Sequence, residues 1–169
     1  MSTSRCEQTP KLGRWQGGAP VRARGTCVAG YGSMQRPTGA GTRPRVLIVE
    51  GDRLLREAIA DALRVSGYGV RTAEEGPQAA ATLRREAIDV VLADLDMAGR
   101  GYGDLARALE SLPHVGVICL AGQFTTEAKQ WSDALRAAAR LVKPLTLTAL
   151  LRHLRGLVRQ GRSQRTQGA

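Results

Sequence analysis

Short apolar runs alternate with segments of helical periodicity along most of the chain. Five runs have the length and apolar character of strands, and they fall at 46–49, 68–73, 88–93, 115–120 and 141–142. The run Val46-Leu47-Ile48-Val49 is apolar at every position and rich in β-branched residues. Such a run is typical of a strand that is buried on both faces of a parallel sheet.

Between and after these runs, apolar residues recur at the three- and four-residue spacing of a helix. The pattern predicts helices at 54–63, 76–85, 104–111, 124–138 and 147–158. Gly67 follows the first helix and Pro77 stands in the first turn of the second, where these residue types are favoured. Five strands that alternate with five helices predict the α/β fold class: a doubly wound, five-stranded parallel sheet with helices on both faces. Periodicity does not give the order of the strands.

The first 44 residues show neither period. Eight of the 20 glycines and four of the 7 prolines of the chain fall there. This composition predicts a disordered, basic N-terminal extension over 1–44, then one domain over 45–158 and a flexible basic C-terminal tail over 159–169. The extension has two interpretations: a flexible terminus with Met34 as an alternative start, which we favour, or an arm that touches nucleic acid or acidic lipid.

The formal net charge of +10 lies outside residues 46–158. Residues 1–45 hold eight Lys/Arg and one acid, and residues 159–169 hold three Arg and no acid. Residues 46–158 hold fourteen basic and fourteen acidic residues, so this part is formally neutral. A nucleic-acid-binding fold usually carries its basic stripe on the folded surface. The sequence therefore predicts no nucleic acid partner, except for weak contacts through the basic tails.

Composition also predicts the compartment. The chain has no apolar run of about 18 residues, as a membrane span needs, and no apolar segment of a signal peptide near its start. The three cysteines, Cys6, Cys27 and Cys119, are odd in number and have no metal-ligand spacing. These features favour the cytoplasm and no membrane partner.

Chemically active side chains follow three of the predicted strands. Glu50 follows the first strand, Asp94 the third and Lys143 the fifth. In a doubly wound sheet, ligand sites lie beyond the carboxyl ends of the strands, so these side chains are expected to converge. Carboxylates suit magnesium and a lysine suits a phosphoryl oxygen. A carboxylate can itself act as the nucleophile and form an aspartyl phosphate.

The same strand ends carry a resemblance to a known family. The segments 46–52 (VLIVEGD), 89–97 (DVVLADLDM) and 141–145 (LVKPL) fall in the order and spacing of response regulator receiver domains. Each segment alone is a weak signal, but together with the five-fold alternation they are specific. Over 45–158 the chain resembles a single, CheY-like receiver domain of two-component signal transduction. The resemblance implies a flavodoxin-like fold.

The resemblance also implies a role for several residues. Asp94 matches the aspartate that accepts the phosphoryl group, and Lys143 matches the lysine that contacts this group. Glu50, Asp94 and the backbone carbonyl of Asp96 match the magnesium ligands, and the Lys143-Pro144 bond resembles the family's cis peptide. Family members receive the phosphoryl group from a histidine kinase or phosphotransfer protein and signal through a downstream protein partner. The chain is therefore predicted not to be an enzyme.

Four positions depart from the family pattern. Gly51 stands where a second magnesium-binding acid is usual, and Leu120 stands at the position of the switch threonine or serine. Arg140 replaces the aromatic switch residue, and the loop over 97–103 lacks the usual proline and is one residue longer. Because Gly51 removes a direct metal ligand, we expect weak magnesium binding and slow phosphorylation or none.

Two alternative functions stay open. The departures at Gly51 and Leu120 are compatible with a pseudo-receiver, which would dock to partners without being phosphorylated. In addition, Asp94-Leu95-Asp96 resembles the DxD motif of haloacid dehalogenase-type phosphatases, with Asp94 as nucleophile and Asp96 as acid/base. Against the phosphatase, Ala98 departs from that motif, and no adjacent pair of acids follows Asp96.

Overall fold

The computed structural model describes residues 43–97 and 101–167, with side chains described as far as Gln164. Within these residues, five strands form one parallel sheet in the order β2-β1-β3-β4-β5. The strands are β1 Arg45–Val49, β2 Gly69–Ala73, β3 Val90–Asp94, β4 Gly116–Ala121 and β5 Ala139–Val142. The order reverses between β1 and β3, which is the switch point of the flavodoxin-like arrangement. The predicted fold class is confirmed.

Five α-helices alternate with the strands. They are α1 Arg53–Val65, α2 Gly76–Arg85, α3 Tyr102–Glu110, α4 Thr126–Ala134 and α5 Leu147–Gln167, and a 3-10 turn at Leu95–Met97 follows β3. None of the helices in the described ranges is both long and apolar enough to cross a membrane. The extension predicted over 1–44 lies outside the described residues, apart from its last two positions.

Strands β1 to β4 divide their side chains between two cores, because successive residues of a strand point to opposite faces. Leu47 and Val91 belong to the core that also contains residues of α2, α3 and α4. Val46, Ile48 and Leu92 belong to the core shared with α1 and α5. All five side chains are essentially inaccessible to water. Helices thus cover both faces, and polar side chains gather at the carboxyl edge of the sheet.

Helix α4 is shorter than the helix predicted over 124–138. It ends at Ala134 because Arg136 adopts a positive φ of 55°. The Ala137 N–H then donates to the Ser132 carbonyl oxygen at 2.9 Å, which is the hydrogen bond of a Schellman turn. Glycine usually occupies the left-handed position of this turn. An arginine there gives no stop signal in the sequence, which is why the predicted end was wrong.

Helix α5 is longer than predicted. Its apolar stripe ends near Val158, but the helix continues to Gln167 through residues that include the good helix formers Arg and Gln. Gly161 makes this extension possible, because a Cβ at this position would lie 2.6 Å from the His114 carbonyl oxygen. Residues 159–167, predicted as part of a tail, therefore extend a helix that packs against the loop before β4.

Candidate functional site

Lys143 joins the strand ends that the sequence singled out. Its Nζ lies 2.7 Å from Asp94 Oδ1, 3.2 Å from Asp96 Oδ2 and 3.7 Å from Glu50 Oε2. Its backbone N–H donates to the Ala121 carbonyl oxygen at 2.8 Å, and the bond to Pro144 is cis, as the resemblance implied. The structure thus brings together all four predicted site residues. Their roles in binding and transfer stay predictions.

The Lys143 ammonium is stabilised by its neighbours. Burial lowers the pKa of Lys143, but the hydrogen bond and the charge of Asp94 outweigh burial, with further contributions from Asp96 and Glu50. The net pKa of Lys143 is therefore raised. At neutral pH this side chain supplies a fixed positive charge to the carboxylates around it.

Asp94 is held by its own loop. It is the last residue of β3 and is only 5% exposed. Its Oδ1 accepts the Asp96 backbone N–H at 3.1 Å, in addition to contacting Lys143. Its backbone carbonyl accepts a short hydrogen bond from the Tyr102 hydroxyl. Both the main chain and one carboxylate oxygen of Asp94 are thus fixed in orientation.

Tyr102 is a site residue that sequence reasoning missed. Its side chain is fully buried, and burial, with a contribution from the charge of Asp94, raises its pKa far above the ordinary value. Its ring packs edge-on against Trp131, with 5.9 Å between the ring centroids. The hydroxyl therefore remains protonated and donates to the end of β3. An aromatic residue just after a glycine-rich loop, in a chain with few aromatics, was the available signal.

Only one carboxylate oxygen of Glu50 accepts a hydrogen bond from the described residues. Its Oε1 accepts the Asp52 N–H at 3.0 Å, whereas the buried Oε2 has no hydrogen-bond partner among the described residues. Burial raises the pKa of Glu50, and the charge of Asp94 adds to this effect, although Asp52 and Lys143 oppose it. A buried oxygen of this kind can accept a cation.

The site offers oxygen ligands, the type that a hard cation prefers, but only a few of them. Glu50 and Asp94 offer carboxylate oxygens, which magnesium prefers. However, no group of three or more acidic, His or Cys side chains in the described ranges is arranged to hold a metal. The exposed Gly51 adds no ligand beside Glu50. The side chain of Asp52, next along the chain, caps α1 by accepting the Leu55 N–H at 2.9 Å.

Asp96 is bound differently from the other two acids. Its carboxylate is about half exposed, and both of its oxygens accept the Gly122 backbone N–H at 3.0 Å. With Lys143, this contact ties the turn after β3 to the end of β4. The predicted metal contact of the Asp96 backbone carbonyl stays a prediction.

Arg56 is a second residue that the sequence did not reveal. Its side chain is 8% exposed, and its guanidinium donates to the Glu50 carbonyl oxygen at 2.6 Å and to Glu74 Oε1 at 2.7 Å. By contrast, Leu54 and Leu55, which belong to the apolar helical pattern of this segment, are 72% and 38% exposed. Because Arg56 is charged, the hydrophobic pattern did not indicate that it is buried. Its hydrogen bond to the Glu50 carbonyl oxygen fixes the segment after β1.

Leu120 and Arg140, at the two switch positions, carry neither the hydroxyl nor the aromatic ring of the family pattern. Leu120 pairs with Asp94 in the sheet and is 2% exposed, so an apolar side chain stands beside the acid. Arg140 is exposed and donates to Ser132 Oγ at 2.6 Å, with a short ion pair to Asp133. Leu120 therefore offers the site no hydroxyl, and Arg140 is held against α4.

An apolar groove opens beside the site. It has a volume of about 430 Å³ and lies between α1 and the segment from Lys143 into α5. Leu55 and Leu147, which are 38% and 43% exposed, line it together with Ile59 and Leu120. The acidic site is thus adjacent to a surface that suits apolar protein side chains.

Comparisons with known proteins agree with this geometry. The family model described as "Response regulator receiver domain" matches residues 46–155. Response regulator protein FleR of Pseudomonas aeruginosa is 33% identical over 63% of the chain and 23% of its own length. Sensory transduction protein RegX3 of Mycolicibacterium smegmatis is 30% identical over 73% of the chain and 54% of its own length. The chain thus spans about half, or less, of these relatives.

A solved structure shows the same fold. TrrA of Thermotoga maritima, solved in complex with Mg²⁺-BeF, superposes with a TM-score of 0.59 at 24% identity, covering 68% of this chain and 98% of TrrA. Three observations agree: the strand order, the acids and lysine at one edge of the sheet, and the family match over most of the chain. This chain belongs to the response regulator receiver domain family.

Proposed function

We propose that the chain accepts a phosphoryl group on Asp94 from a histidine kinase or a phosphotransfer protein, and that it signals through protein contacts. The distance of 2.7 Å between Lys143 Nζ and Asp94 Oδ1 carries this proposal. A buried carboxylate held against an ammonium can act as a nucleophile without losing its orientation. The same ammonium can neutralise a phosphoryl oxygen.

The proposed transfer is a displacement at phosphorus. A carboxylate oxygen of Asp94 forms a bond to phosphorus while the phosphorus–nitrogen bond of the donor phosphohistidine breaks. The electron pair leaves with the imidazole nitrogen. Positioning and charge neutralisation carry most of such a reaction, and Asp94, Lys143 and the Asp96 N–H supply them here.

Magnesium would be held by Glu50, Asp94 and the backbone carbonyl of Asp96. The buried Glu50 Oε2, which accepts no hydrogen bond among the described residues, supports this assignment. When bound, the ion supplies positive charge to the phosphoryl oxygens. Gly51 leaves the site one carboxylate short, so we expect weak binding.

The apolar groove supports a protein as the donor. It opens next to Lys143 and offers exposed leucine side chains from α1 and α5. A donor that rests on this groove would bring its histidine close to Asp94. As in the sequence prediction, we place the reaction in the cytoplasm.

The second candidate is a pseudo-receiver that docks without phosphorylation. It is favoured by Leu120, because a buried leucine beside Asp94 has no hydroxyl to bond a phosphoryl oxygen. The phosphatase alternative has less support. Its general acid would be Asp96, whose carboxylate is bound by Gly122 and Lys143.

The test is incubation of the full chain with magnesium and acetyl phosphate, followed by intact mass. Asp94→Asn is the inactive variant, and Asp96→Asn is the control that removes a neighbouring acid of the same type. We expect an adduct that requires Asp94. If the folded chain gives no adduct, the pseudo-receiver replaces this proposal. Multiple turnover of a phosphate ester would instead favour the phosphatase.

A further inference from the structure

Helix α5 presents a row of arginines to solvent. Arg152, Arg155, Arg159 and Arg162 are all exposed. They follow one another at intervals of three, four and three residues, so they lie within about 80° of one another around the helix axis. The row extends about 15 Å along the helix, at a rise of about 1.5 Å per residue.

The row exists only because α5 is long. The sequence alone placed Arg159 and Arg162 in a tail, and nucleic acid binding by the folded part was excluded on that basis. With α5 extending to Gln167, these arginines stand on the same rigid helix as Arg152 and Arg155. The folded surface therefore carries the basic stripe that the neutral composition of 46–158 concealed.

Little negative charge opposes Arg152, Arg155 and Arg159 in the described part of the chain. The helix over Leu147–Gln167 contains no Asp or Glu. Within 43–97 and 101–164, no carboxylate forms an ion pair with Arg152, Arg155 or Arg159. Arg155 lies near the Tyr68 hydroxyl, and its charge opposes the rise that burial causes in the pKa of Tyr68.

We propose that the arginine row on α5 binds the phosphate backbone of duplex DNA, without reading its bases. Cationic side chains neutralise backbone phosphates whatever the base sequence, and a basic stripe along a helix is the expected footprint of nucleic acid binding. The regular row on a rigid helix matches a rigid, regular array of phosphates. The proposal is independent of phosphorylation at Asp94.

Other polyanions match the row less well. Single-stranded nucleic acid is usually held by stacking on aromatic side chains, and α5 contains none. A membrane-surface helix must insert its apolar face into lipid, but Leu150, Leu154 and Val158 are buried against the sheet. An acidic protein presents carboxylates in place of backbone phosphates, and polyglutamate serves below as the probe for this alternative.

The test measures binding of the full chain to a fluorescein-labelled DNA duplex by fluorescence anisotropy at several salt concentrations. The test variant is Arg152→Gln with Arg159→Gln. The matched control is Arg84→Gln with Arg85→Gln, which removes the same charge from exposed positions on α2, on the other face of the sheet. A third variant, Arg152→Lys with Arg159→Lys, keeps the charge. Circular dichroism checks that all of them fold.

We expect the test variant to lose about tenfold in affinity, and its slope of log K against log salt to fall by about 2 relative to the control. The lysine variant should keep most of the affinity. Equal behaviour of the test variant and the control would overturn the proposal, since binding through the basic N-terminal residues responds to both alike. Equal or tighter binding to the single strand, to phosphatidylserine vesicles or to polyglutamate would also overturn it.

Discussion

At the residue scale, the charge balance of the site rests on Lys143. Three carboxylates lie within 4 Å of its single ammonium group, so the cluster is negative before a phosphoryl group adds further charge. For Glu50, burial raises the pKa of the carboxyl, and the charge of Lys143 opposes this effect. An additional cation would therefore offset the excess negative charge of the cluster. The number of carboxylates in the site decides how tightly this cation binds.

The first prediction concerns Gly51. The described glycines with positive φ are Gly67 and Gly101, so the backbone at Gly51 accepts a side chain without strain of that kind. Gly51→Asp should place a second carboxylate beside Glu50 and tighten magnesium binding by about tenfold or more. The measurement is the rise in thermal midpoint as magnesium is added.

Gly51→Asn is the control for this prediction, because it has nearly the same shape and no charge. A rise in magnesium affinity that appears equally in both variants would show that shape, and not the missing carboxylate, limits the site. No rise in either variant would mean that Glu50 does not face the ion.

The second prediction concerns the pH dependence set by Glu50. Burial raises its folded-state pKa above the ordinary 4.5. Between the two pKa values the folded state binds more protons than the unfolded chain, so stability falls as pH rises through this window. Glu50→Gln removes the ionisation. It should gain stability relative to the wild type as pH rises above 4.5, and lose that gain at lower pH.

The measurement is the thermal midpoint in magnesium-free buffer from about pH 4 to about pH 8, a range that spans carboxyl titration. Glu57→Gln, at an exposed position on α1, is the control. If the difference between Glu50→Gln and the wild type does not change with pH, then Glu50 titrates normally and its burial has no electrostatic consequence.

At the element scale, the segment that carries Glu50 depends on α1. The Arg56 guanidinium bonds the Glu50 carbonyl oxygen and reaches Glu74 in the segment after β2. Hydrogen bonds from a charged group are worth about 1.5–3 kcal/mol, whereas an ion pair to the exposed Glu74 is worth less. Arg56 thus acts mainly by fixing the main chain on which the acid stands.

The third prediction tests the length and packing of α5 with a matched pair of glycines. A Cβ at Gly156 meets no atom within 4 Å, so Gly156→Ala should stabilise the protein by about 0.5–1 kcal/mol through helix propensity. A Cβ at Gly161 would meet the His114 carbonyl oxygen at 2.6 Å. Gly161→Ala should therefore destabilise by about 1–3 kcal/mol.

Urea unfolding of the two variants measures both effects. If Gly161→Ala were as stabilising as Gly156→Ala, the end of α5 would not approach the loop before β4. The arginine row on that part of the helix would then lose its rigid support, so this result bears on the DNA proposal as well.

At the scale of the whole molecule, the two cores explain why the site lies where it does. Helices cover both faces of the sheet, and residues 46–49 of β1 and 90–93 of β3 are all apolar. Glu50 and Asp94 are the first polar residues after these apolar runs. They meet because parallel strands end at the same edge, and Lys143 joins them from β5, which lies beside β4.

Much of this arrangement followed from the sequence alone. The alternation of strands and helices, the family and the convergence of Glu50, Asp94 and Lys143 depend on local periodicity and on a general rule of parallel sheets. The end of α4 could not be predicted, because Arg136 adopts the left-handed conformation that glycine usually marks. The burial of Arg56 could not be predicted either, because its partners come from the ends of other elements.

The sequence by itself determined the elements and the residues at the strand ends, because hydrophobic periodicity is a local property of the chain. Tertiary structure decided the contacts between distant segments: Tyr102 with the end of β3, Gly122 with Asp96, and Gly161 with His114. It also decided that α5 continues to Gln167, so that its arginines, which already stand at helical spacing in the sequence, share one surface. The contacts between distant segments arise from packing between elements, and sequence periodicity carries no information about them.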